Sequence, residues 1–131
     1  MLSARAIMTE DVVAIGPESS IEEAIELLLQ LQISGMPVTD GEGQLIGIVT
    51  EFALLAIAYD QNVRNDTIAQ HMTTDVFAVG PDDPINKVAD LCIMHRVRRL
   101  PVVQNGRLVG LISRRDVLKA MYETQAPVCT S

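Results

Sequence analysis

The 131 residues are 48% hydrophobic and carry a formal net charge of −7, a composition that supplies a real core for one compact domain and excludes intrinsic disorder. Two Phe, two Tyr and no Trp leave no aromatic platform for stacking single-stranded bases, which argues against nucleic-acid recognition. No signal peptide is visible, and the longest apolar stretches, such as 52–58, fall far short of the ~20 residues that span a bilayer. We therefore expect a soluble cytoplasmic protein without direct membrane insertion.

The charge is unevenly spread. Residues 1–66 carry a net −9, whereas residues 67–131 carry +2. Five of the bases of the second half form two tight groups, Arg96, Arg98 and Arg99, and Arg114 and Arg115. An acidic protein that gathers its arginines locally is better suited to a small anion than to a polyanion.

The second half of the sequence repeats the first. Residues 8–17 return as residues 72–81, a constant shift of 64 positions, and residues 45–50 return as residues 108–113. Each copy is too small to bury its apolar faces alone, so we expect the two copies to pack on each other and to form a cleft between them.

The first repeat spans residues 4–60. Its predicted elements in chain order are a short helix 4–8, a strand 12–15 ending at a Gly-Pro turn, a helix, a hairpin of strands 36–39 and 46–49, and a helix from Glu51 to about Tyr59. Ser19 is a plausible N-cap, with Glu22 three residues later. The apolar spacing of the following helix predicts one buried face, formed by Ile21, Ala24, Ile25, Leu28 and Leu31.

A polar linker, 60–67, leads into the second repeat, residues 67–122. The predicted order recurs as a short helix 68–72, a strand 76–79, a helix, a hairpin of strands 100–103 and 109–112, and a helix from Arg114 to about Tyr122. Here Asp83 is the predicted cap and Pro84 the first helical residue. The predicted buried helix face consists of Ile85, Val88, Ala89 and Cys92. Residues 123–131 show no periodicity and are predicted to form a loose tail.

The predicted fold is therefore β-α-β-β-α twice, of the α/β (α+β) class and with pseudo-twofold symmetry. The frame of strand, helix, Leu100-Pro101-Val102-Val103, hairpin and Gly110-Leu111-Ile112-Ser113-Arg114-Arg115-Asp116 resembles the CBS (cystathionine β-synthase) domain, and two in tandem resemble a Bateman module. The resemblance covers about residues 4–122. It implies a cleft between the paired units that binds an adenosine-containing ligand.

The start of the last predicted helix has the chemistry for such a ligand. Ser113 stands at the N-cap and Asp116 on the first turn, where a carboxylate can accept two hydrogen bonds from the cis-diol of a ribose. The alternative is a plain capping box, in which Asp116 only bonds back to the amide of Ser113.

The resemblance also implies roles for residues around this turn. Arg98 and Arg99 precede a strand at the place where the family positions basic residues toward phosphates. The partner unit is expected to close the same pocket through apolar and hydroxyl groups near the adenine. Together with Ile112 of the strand, that predicted lining is Thr9, Val12, Val13, Ile33 and Ser34.

The equivalent turn of the first repeat differs. It reads Thr50-Glu51-Phe52-Ala53, with Ala53 in the place of Asp116, and Ser34-Gly35 stand in the place of the arginine pair. We therefore predict one good nucleotide site per chain and a weak or empty second one.

No catalytic set is apparent. The two histidines, His71 and His95, lack a nucleophile in a triad order, the two cysteines fit neither a zinc site nor a disulfide framework, and no metal site is expected. A hydrolase that uses Asp116 would lack a base, a metal and a nucleophile, so we expect no enzyme activity.

The leading hypothesis is a stand-alone regulatory module that senses AMP, ADP or ATP, needs no cofactor, and signals to an unidentified enzyme or transporter or through its own homodimer. The apolar run 52–58 is compatible with dimerisation. The alternatives are an assembly scaffold with a vestigial cleft, and a sensor of S-adenosylmethionine, NAD or cyclic di-AMP.

Overall fold

The structure is a computed structural model that describes residues 2–129, with only the backbone described for Gln61 and for residues 124–129. The chain forms two compact units. One is the continuous segment Val13–Val76, called here the continuous unit; the other joins the residues up to Val12 with those from Phe77 onward, and is called the split unit. Within residues 2–129, no helix has both the length and the apolarity needed to cross a membrane.

The continuous unit contains one two-stranded sheet and three helices. Its elements are α2 (Ile21–Leu31), β1 (Gly35–Thr39), β2 (Leu45–Thr50), α3 (Glu51–Ala58), a 3-10 turn (Gln61–Val63) and α4 (Ile68–His71). Strands β1 and β2 are antiparallel, and Met36 lies opposite Val49. The turn between them contains Gly43, whose φ of 82° is a conformation that favours glycine.

The split unit repeats this arrangement from two separate stretches of the chain. Its elements are α1 (Ala4–Ile7), α5 (Ile85–His95), β3 (Arg99–Gln104), β4 (Arg107–Ser113) and α6 (Arg114–Cys129). Strands β3 and β4 are antiparallel, and Leu100 lies opposite Ile112. The predicted hairpins and the helices that follow them are thus present in both repeats, in the mixed α and β class that the sequence predicts.

The predicted strands 12–15 and 76–79 are reduced to single bridges. Ile15 pairs in parallel with Val38, and Val79 pairs in the same way with Val102. A Gly-Pro pair directly follows each of them, and because proline has no N–H to donate, the ladder cannot extend.

Helix α2 begins one residue later than the capping pattern predicts. The hydroxyl of Ser20, not of Ser19, accepts a hydrogen bond from the amide of Glu23 at 3.1 Å. The amide of Ser19 instead donates to the carbonyl of Gly16 at 3.3 Å. Ser19 therefore closes the Gly-Pro turn and leaves capping to the next residue.

Helix α5 is shifted in the same sense. Pro84 is its N-cap, so the helix begins at Ile85. The carboxylate of Asp83 accepts a hydrogen bond from the amide of Gly80 at 2.8 Å and holds the preceding turn instead of the helix.

Helix α6 corrects the prediction for the end of the chain. It continues to Cys129, so residues 123–129 are helical in their backbone, whereas a loose tail was expected from residue 123. The segment after Tyr122 holds good helix formers and no glycine before Pro127, and Glu123 lies 4.0 Å from Lys119 one turn earlier. Thr130 and Ser131 of that predicted tail lie outside the described residues.

Each unit has its own aliphatic core. In the split unit all four residues predicted on the buried face of α5 are buried, Ile85, Val88, Ala89 and Cys92. In the continuous unit Ile21, Ala24 and Leu28 are buried as predicted, but Ile25 is half-buried and Leu31 is exposed. Leu31 is the last helical residue before Gln32, whose left-handed conformation ends α2.

The segment 2–12 docks on the second repeat, not on the first. The amide of Ala4 donates to the carbonyl of Asp83 at 2.9 Å, and that of Arg5 to the carbonyl of Pro81 at 2.8 Å. Ala4 is fully buried in the core of the split unit. The helical segment that starts each sequence repeat is thereby built into the core of the other one.

The start of the second repeat makes the reciprocal contacts. The amide of Ile68 donates to the carbonyl of Ser19 at 2.8 Å, and that of Ala69 to the carbonyl of Pro17 at 2.9 Å. These bonds join positions equivalent to those in the split unit. The two sequence repeats therefore exchange their first segments reciprocally.

The environment of Asp83 predicts that part of the free energy of unfolding is lost in acid. The hydrogen bond from the amide of Gly80 lowers the pKa of this carboxyl below its ordinary value of 3.8, burial opposes the shift, and the Lys87 ammonium adds to it. A lowered folded-state pKa means that the contribution is present above pH ~4 and disappears as the pH falls through the folded-state pKa.

We expect Asp83→Asn to lower the free energy of unfolding by about 1 kcal/mol at neutral pH, because a hydrogen bond to a charged acceptor is exchanged for a neutral one. The deficit should shrink as the pH falls below ~4 and the carboxyl group is protonated. Urea unfolding at a series of pH values measures it. Asp82→Asn is the matched control, since the carboxylate of Asp82 is exposed and its ion pair with Arg5 spans 3.4 Å at the surface. An equal loss in both variants, or a loss independent of pH, would contradict the prediction.

Candidate functional site

The start of helix α6 carries a hydroxyl and a carboxylate that bond to each other's backbone. The amide of Asp116 donates to the hydroxyl of Ser113 at 3.0 Å, and the amide of Ser113 donates to the carboxylate of Asp116 at 3.4 Å. These two bonds form the capping box that was the alternative prediction from the sequence. Its second bond is long, so most of the acceptor capacity of the carboxylate is left for other donors.

The arginine pair lies beside this turn. Arg99 is the first residue of β3 and stands directly opposite Ser113 in the ladder, so both side chains leave the same face of the hairpin. The carbonyl of Arg98 accepts a hydrogen bond from the amide of Arg114 at 2.7 Å, which joins the start of β3 to the start of α6. Arg98 is exposed and Arg99 half-buried.

Thr9 belongs to the same compact unit as these residues. Its amide donates to the carbonyl of Leu111 at 2.8 Å, and the amide of Leu111 donates back to the carbonyl of Thr9 at 2.9 Å. Thr9 was predicted to line the pocket from the partner unit, together with Val12, which also lies in the split unit. That assignment is corrected, because the docking of segment 2–12 on the second repeat carries Thr9 to the edge of strand β4.

The same docking places Met8 over a glycine of β4. A Cβ atom at Gly110 would lie 2.5 Å from the sulfur of Met8 and 3.1 Å from its Cβ atom. Gly47 is covered by Met72 in the same way in the continuous unit. The glycine of each Gly-x-x-Ser/Thr turn thus has a packing role, since it lets the first segment of the other repeat approach.

We expect Gly110→Ala to lower the free energy of unfolding by about 1 to 3 kcal/mol, because the added methyl group overpacks this contact. Adding Met8→Ala should recover part of the loss, which a double-mutant cycle by urea unfolding measures. Gly41→Ala is the control, as a Cβ atom there meets nothing within 4 Å. A cycle with no coupling energy between positions 8 and 110 would contradict the packing role.

An open cavity lies beside the carboxylate. It has a volume of about 460 Å³ and is bounded by α1 and α6 of the split unit. Its lining residues are Leu2, Ala6, Ile7, Asp116, Lys119, Ala120 and Glu123. No sequence prediction covered this cavity, although the helical spacing of 116, 119, 120 and 123 marks one face of α6.

The remaining predicted site residues are divided between the units. Ile112 is 1% exposed and part of the core of the split unit, where it supports the turn from within. Val13, Ile33 and Ser34 lie in the continuous unit; Val13 is exposed and the other two are half-buried. The split unit therefore brings together Thr9, Arg98, Arg99, Ile112, Ser113 and Asp116.

The continuous unit repeats the frame of the site without its charges. The amide of Glu51 donates to the carbonyl of Ser34 at 2.9 Å, and the amide of Ala53 donates to the hydroxyl of Thr50 at 3.3 Å. Thr73 pairs with Ile48 as Thr9 does with Leu111. This unit thus shows that the helix cap forms without a carboxylate at the position of Asp116.

Other titratable groups do not form a reactive cluster in the described part of the chain. Burial raises the pKa of the Cys92 thiol, which matches its core position and opposes formation of a thiolate. His71 contacts the carboxylate of Asp66 at 2.8 Å, and the ring of His95 stacks on Phe77 with centroids 3.8 Å apart. Among the described residues, no three His, Cys, Asp or Glu side chains come together to hold a metal ion.

The sequence matches a family model described as CBS domain twice, over residues 4–60 and 67–123. Among curated proteins, an inosine-5'-monophosphate dehydrogenase of Methanocaldococcus jannaschii is 34% identical over 121 residues. The match covers 92% of this chain but only 24% of that protein, and the chain spans less than half the length of other curated relatives as well.

Two solved structures share the fold at low identity. The crystal structure of CBSX2 in complex with AMP has a TM-score of 0.86 and 26% identity, covering 95% of this chain and 99% of its own. The CBS domain pair of protein MJ0100, in complex with 5'-methylthioadenosine and S-adenosyl-L-methionine, has a TM-score of 0.81 and 27% identity, covering 95% and 98%. Both similar proteins hold an adenosine-containing ligand.

Proposed function

Because the chain belongs to the CBS-domain family, we propose that it is a regulatory module that binds an adenine nucleotide, AMP, ADP or ATP, through the split unit. One observation carries the proposal: the Asp116 carboxylate lies on the first turn of α6, lines an open cavity and shares its unit with Arg98 and Arg99. An acceptor for the ribose diol and two cationic side chains that can bind phosphate are thus available in one compact unit.

Asp116 is the proposed ribose ligand. A carboxylate is an acceptor only and can accept a hydrogen bond from each hydroxyl group of a cis-diol. Its bond to the amide of Ser113 is 3.4 Å long, so little is lost when ribose hydroxyls replace it. The hydroxyl of Ser113 already accepts from the amide of Asp116 and has its own proton to donate.

Arg98 and Arg99 are the proposed phosphate ligands. Guanidinium groups bind phosphate oxygens through two parallel hydrogen bonds. Arg99 stands opposite Ser113 in the hairpin, which supports a phosphate on the same side as the ribose. Arg98 is exposed and keeps the conformational freedom to close on an anion.

The adenine is proposed to lie against Thr9, Val13, Ile33 and Ser34, with Ile112 behind the site. The exposure of Val13 and the half-burial of Ile33 and Ser34 are compatible with contact to a ligand. Val13, Ile33 and Ser34 belong to the other compact unit, so this part of the proposal rests on the family resemblance.

We propose one such nucleotide per chain. The equivalent turn of the continuous unit has Ala53 for Asp116, and Ser34 and Gly35 for the arginine pair. It lacks both the acceptor for a ribose diol and the cationic side chains for phosphate, so it binds a nucleotide weakly or not at all.

Occupancy is proposed to pass to a partner enzyme or transporter, or to a homodimer of the chain itself, in the cytoplasm. The match to 24% of a dehydrogenase supports a module that operates beside a separate catalytic domain. Exposed apolar side chains on α3 and α6 support self-association.

A ligand panel tests the proposal. Titration with AMP, ADP, ATP, S-adenosylmethionine, NAD and cyclic di-AMP should raise the melting temperature by about 8 to 10 °C at a hundredfold excess over Kd for the preferred adenosine phosphate. Isothermal calorimetry should give a stoichiometry near one per chain. No shift with any adenosine phosphate would remove the proposal and leave the scaffold alternative.

S-adenosylmethionine is the second candidate. The structure of the similar MJ0100 domain pair with that ligand favours it. Its sulfonium is cationic and its one anionic group is the amino-acid carboxylate, so Arg98→Ala would weaken its binding much less than it weakens the binding of AMP. The size of that effect distinguishes the two ligands.

A further inference from the structure

The open cavity between α1 and α6 has two unlike sides. One side is a face of α6 that carries three charged side chains, and the other is apolar and consists of Leu2, Ala6, Ile7 and Ala120. The volume of about 460 Å³ falls in the range of about 300 to 1,000 Å³ that small-molecule sites occupy. The nucleotide contacts proposed above use only Asp116 of this lining, so the rest of the cavity has no assigned ligand.

The polar side of the cavity alternates in charge. Asp116, Lys119 and Glu123 follow one another at intervals of three and four residues, about one helical turn each. They therefore lie on one face of α6 in the order negative, positive, negative. In the continuous unit, Ala53 and Ala56 stand at the positions equivalent to Asp116 and Lys119, so this alternation belongs to α6 and not to the repeat.

The charges of this face are accessible to a ligand. The Lys119 ammonium lies 4.0 Å from the carboxylate of Glu123, and both side chains are exposed, so this ion pair contributes little and opens at little cost. Asp116 is half-buried, and the bond that its carboxylate accepts from the amide of Ser113 is long, at 3.4 Å. A cation and an anion one turn apart can thus both contact a small molecule in the cavity.

The pattern of charge selects the class of that molecule. A phosphate would meet two carboxylates for one ammonium, and a simple amine would be repelled by Lys119. An α-amino acid carries both charges on one carbon atom, so its carboxylate can bind Lys119 while its ammonium binds Asp116. An apolar side chain on the same molecule would lie against the apolar side of the cavity, where its burial is favourable.

We propose that this cavity binds a free α-amino acid with an apolar side chain of about the size of leucine. Lys119 binds the carboxylate, Asp116 binds the ammonium, and Glu123 holds Lys119 over the cavity when no ligand is present. The site goes beyond nucleotide binding and shares only Asp116 with it. Because one carboxylate serves both ligands, the amino acid and the nucleotide compete.

Titration of the full chain with L-leucine tests the site. Amide NMR spectra of the isotope-labelled protein should give a Kd of about 1 mM or lower, with the shifted amides in residues 2–7 and 116–123. Isocaproate, which lacks the ammonium, and isoamylamine, which lacks the carboxylate, should each bind at least about tenfold more weakly, since each loses a charged hydrogen-bonding group. Binding of either compound as tightly as leucine would overturn the pairing of both charges.

Lys119→Met should lower the affinity for L-leucine at least about tenfold, because it removes the cation and keeps an apolar stem of similar length. Arg107→Met is the matched control. It makes the same change in net charge at an exposed position, the first residue of β4, at the opposite end of that strand from Ser113. The control should bind leucine within about twofold of wild type. Equal losses in the two variants, or no saturable binding of leucine to wild type, would overturn the proposal.

Calorimetry with AMP on the same proteins reports nucleotide binding separately. Where AMP binds, its presence at saturation should raise the apparent Kd for L-leucine at least about fivefold, because coupling between two ligands is reciprocal. An unchanged Kd would overturn the contact between Asp116 and the ammonium. Binding of leucine to a wild-type chain that does not bind AMP would support the amino-acid site and remove the nucleotide proposal, so the two proposals fail independently.

Discussion

Asp116→Ala is expected to lower the affinity for AMP about 100-fold, which corresponds to ~2.7 kcal/mol. The substitution removes the acceptor of two hydrogen bonds from the ribose diol. The net contribution of a hydrogen bond to a charged acceptor is about 1.5 to 3 kcal/mol, and water that enters the site of the variant offsets part of the loss of two such bonds. Calorimetric titration of wild type and variant under identical salt measures the change.

The fold should tolerate this substitution. The hydroxyl of Ser113 accepts from the amide of residue 116, not from its side chain, and the continuous unit forms the same bond with alanine, between Ala53 and Thr50. The remaining cost is one 3.4 Å bond and a favourable dipole contact. We therefore expect the unliganded variant to lose less than about 1 kcal/mol of stability.

Asp90→Ala is the matched control. It makes the same change in net charge at an exposed position of α5, so it should leave the affinity for AMP within about twofold of wild type. An Asp116→Ala variant that binds AMP as tightly as this control would reject the role proposed for the carboxylate and would favour the capping box as its only function.

Leu100→Ala is expected to lower the free energy of unfolding by about 3 kcal/mol and the melting temperature by about 10 °C. Leu100 is fully buried and lies opposite Ile112 in the hairpin, with Val102 also buried in the same cluster. Its removal leaves a cavity that the hydrogen-bonded hairpin cannot close. Because Arg99 and Ser113 adjoin this pair, we also expect weaker binding of AMP.

Leu118→Ala tests whether the loss of stability expected for Leu100→Ala is caused by the burial of that residue and not by the residue type. Leu118 lies on α6 and is 69% exposed, so the same truncation should cost less than about 0.5 kcal/mol in the monomer. Urea unfolding at low protein concentration compares the two variants. Equal losses would show that the core of the split unit is not packed around Leu100.

The periodic elements could be predicted from the sequence because their signals are local. The spacing of Ile85, Val88 and Cys92 marks a helix face that is indeed buried, and glycines mark hairpin turns that do adopt positive φ, as Gly106 does at 83°. The boundaries were less predictable. Ser19 and Ser20 have the same capping chemistry, and only the turn bond to Gly16 decides which of them starts α2.

The residues of the candidate site could be proposed from the sequence, but their grouping in one compact unit could not. The difference between Ala53 and Asp116 and the position of the arginine pair are properties of the repeat and visible in the sequence. The docking of segment 2–12 decides which unit receives Thr9, which glycine Met8 covers and where the cavity between α1 and α6 forms. No local sequence pattern indicates on which repeat segment 2–12 docks, because both repeats offer equivalent carbonyls to an incoming helix.

The sequence by itself determined the duplicated frame, the type of most elements and the single copy of the charged turn, because periodicity, turn residues and side-chain chemistry act over a few positions. Only the tertiary structure decided that each repeat takes the first segment of the other, that strands 12–15 and 76–79 shrink to one bridge each, and that α6 continues to Cys129. The exchange of first segments is set by long-range hydrogen bonds and burial, whose partners lie more than sixty positions apart in the case of Ala4 and Asp83.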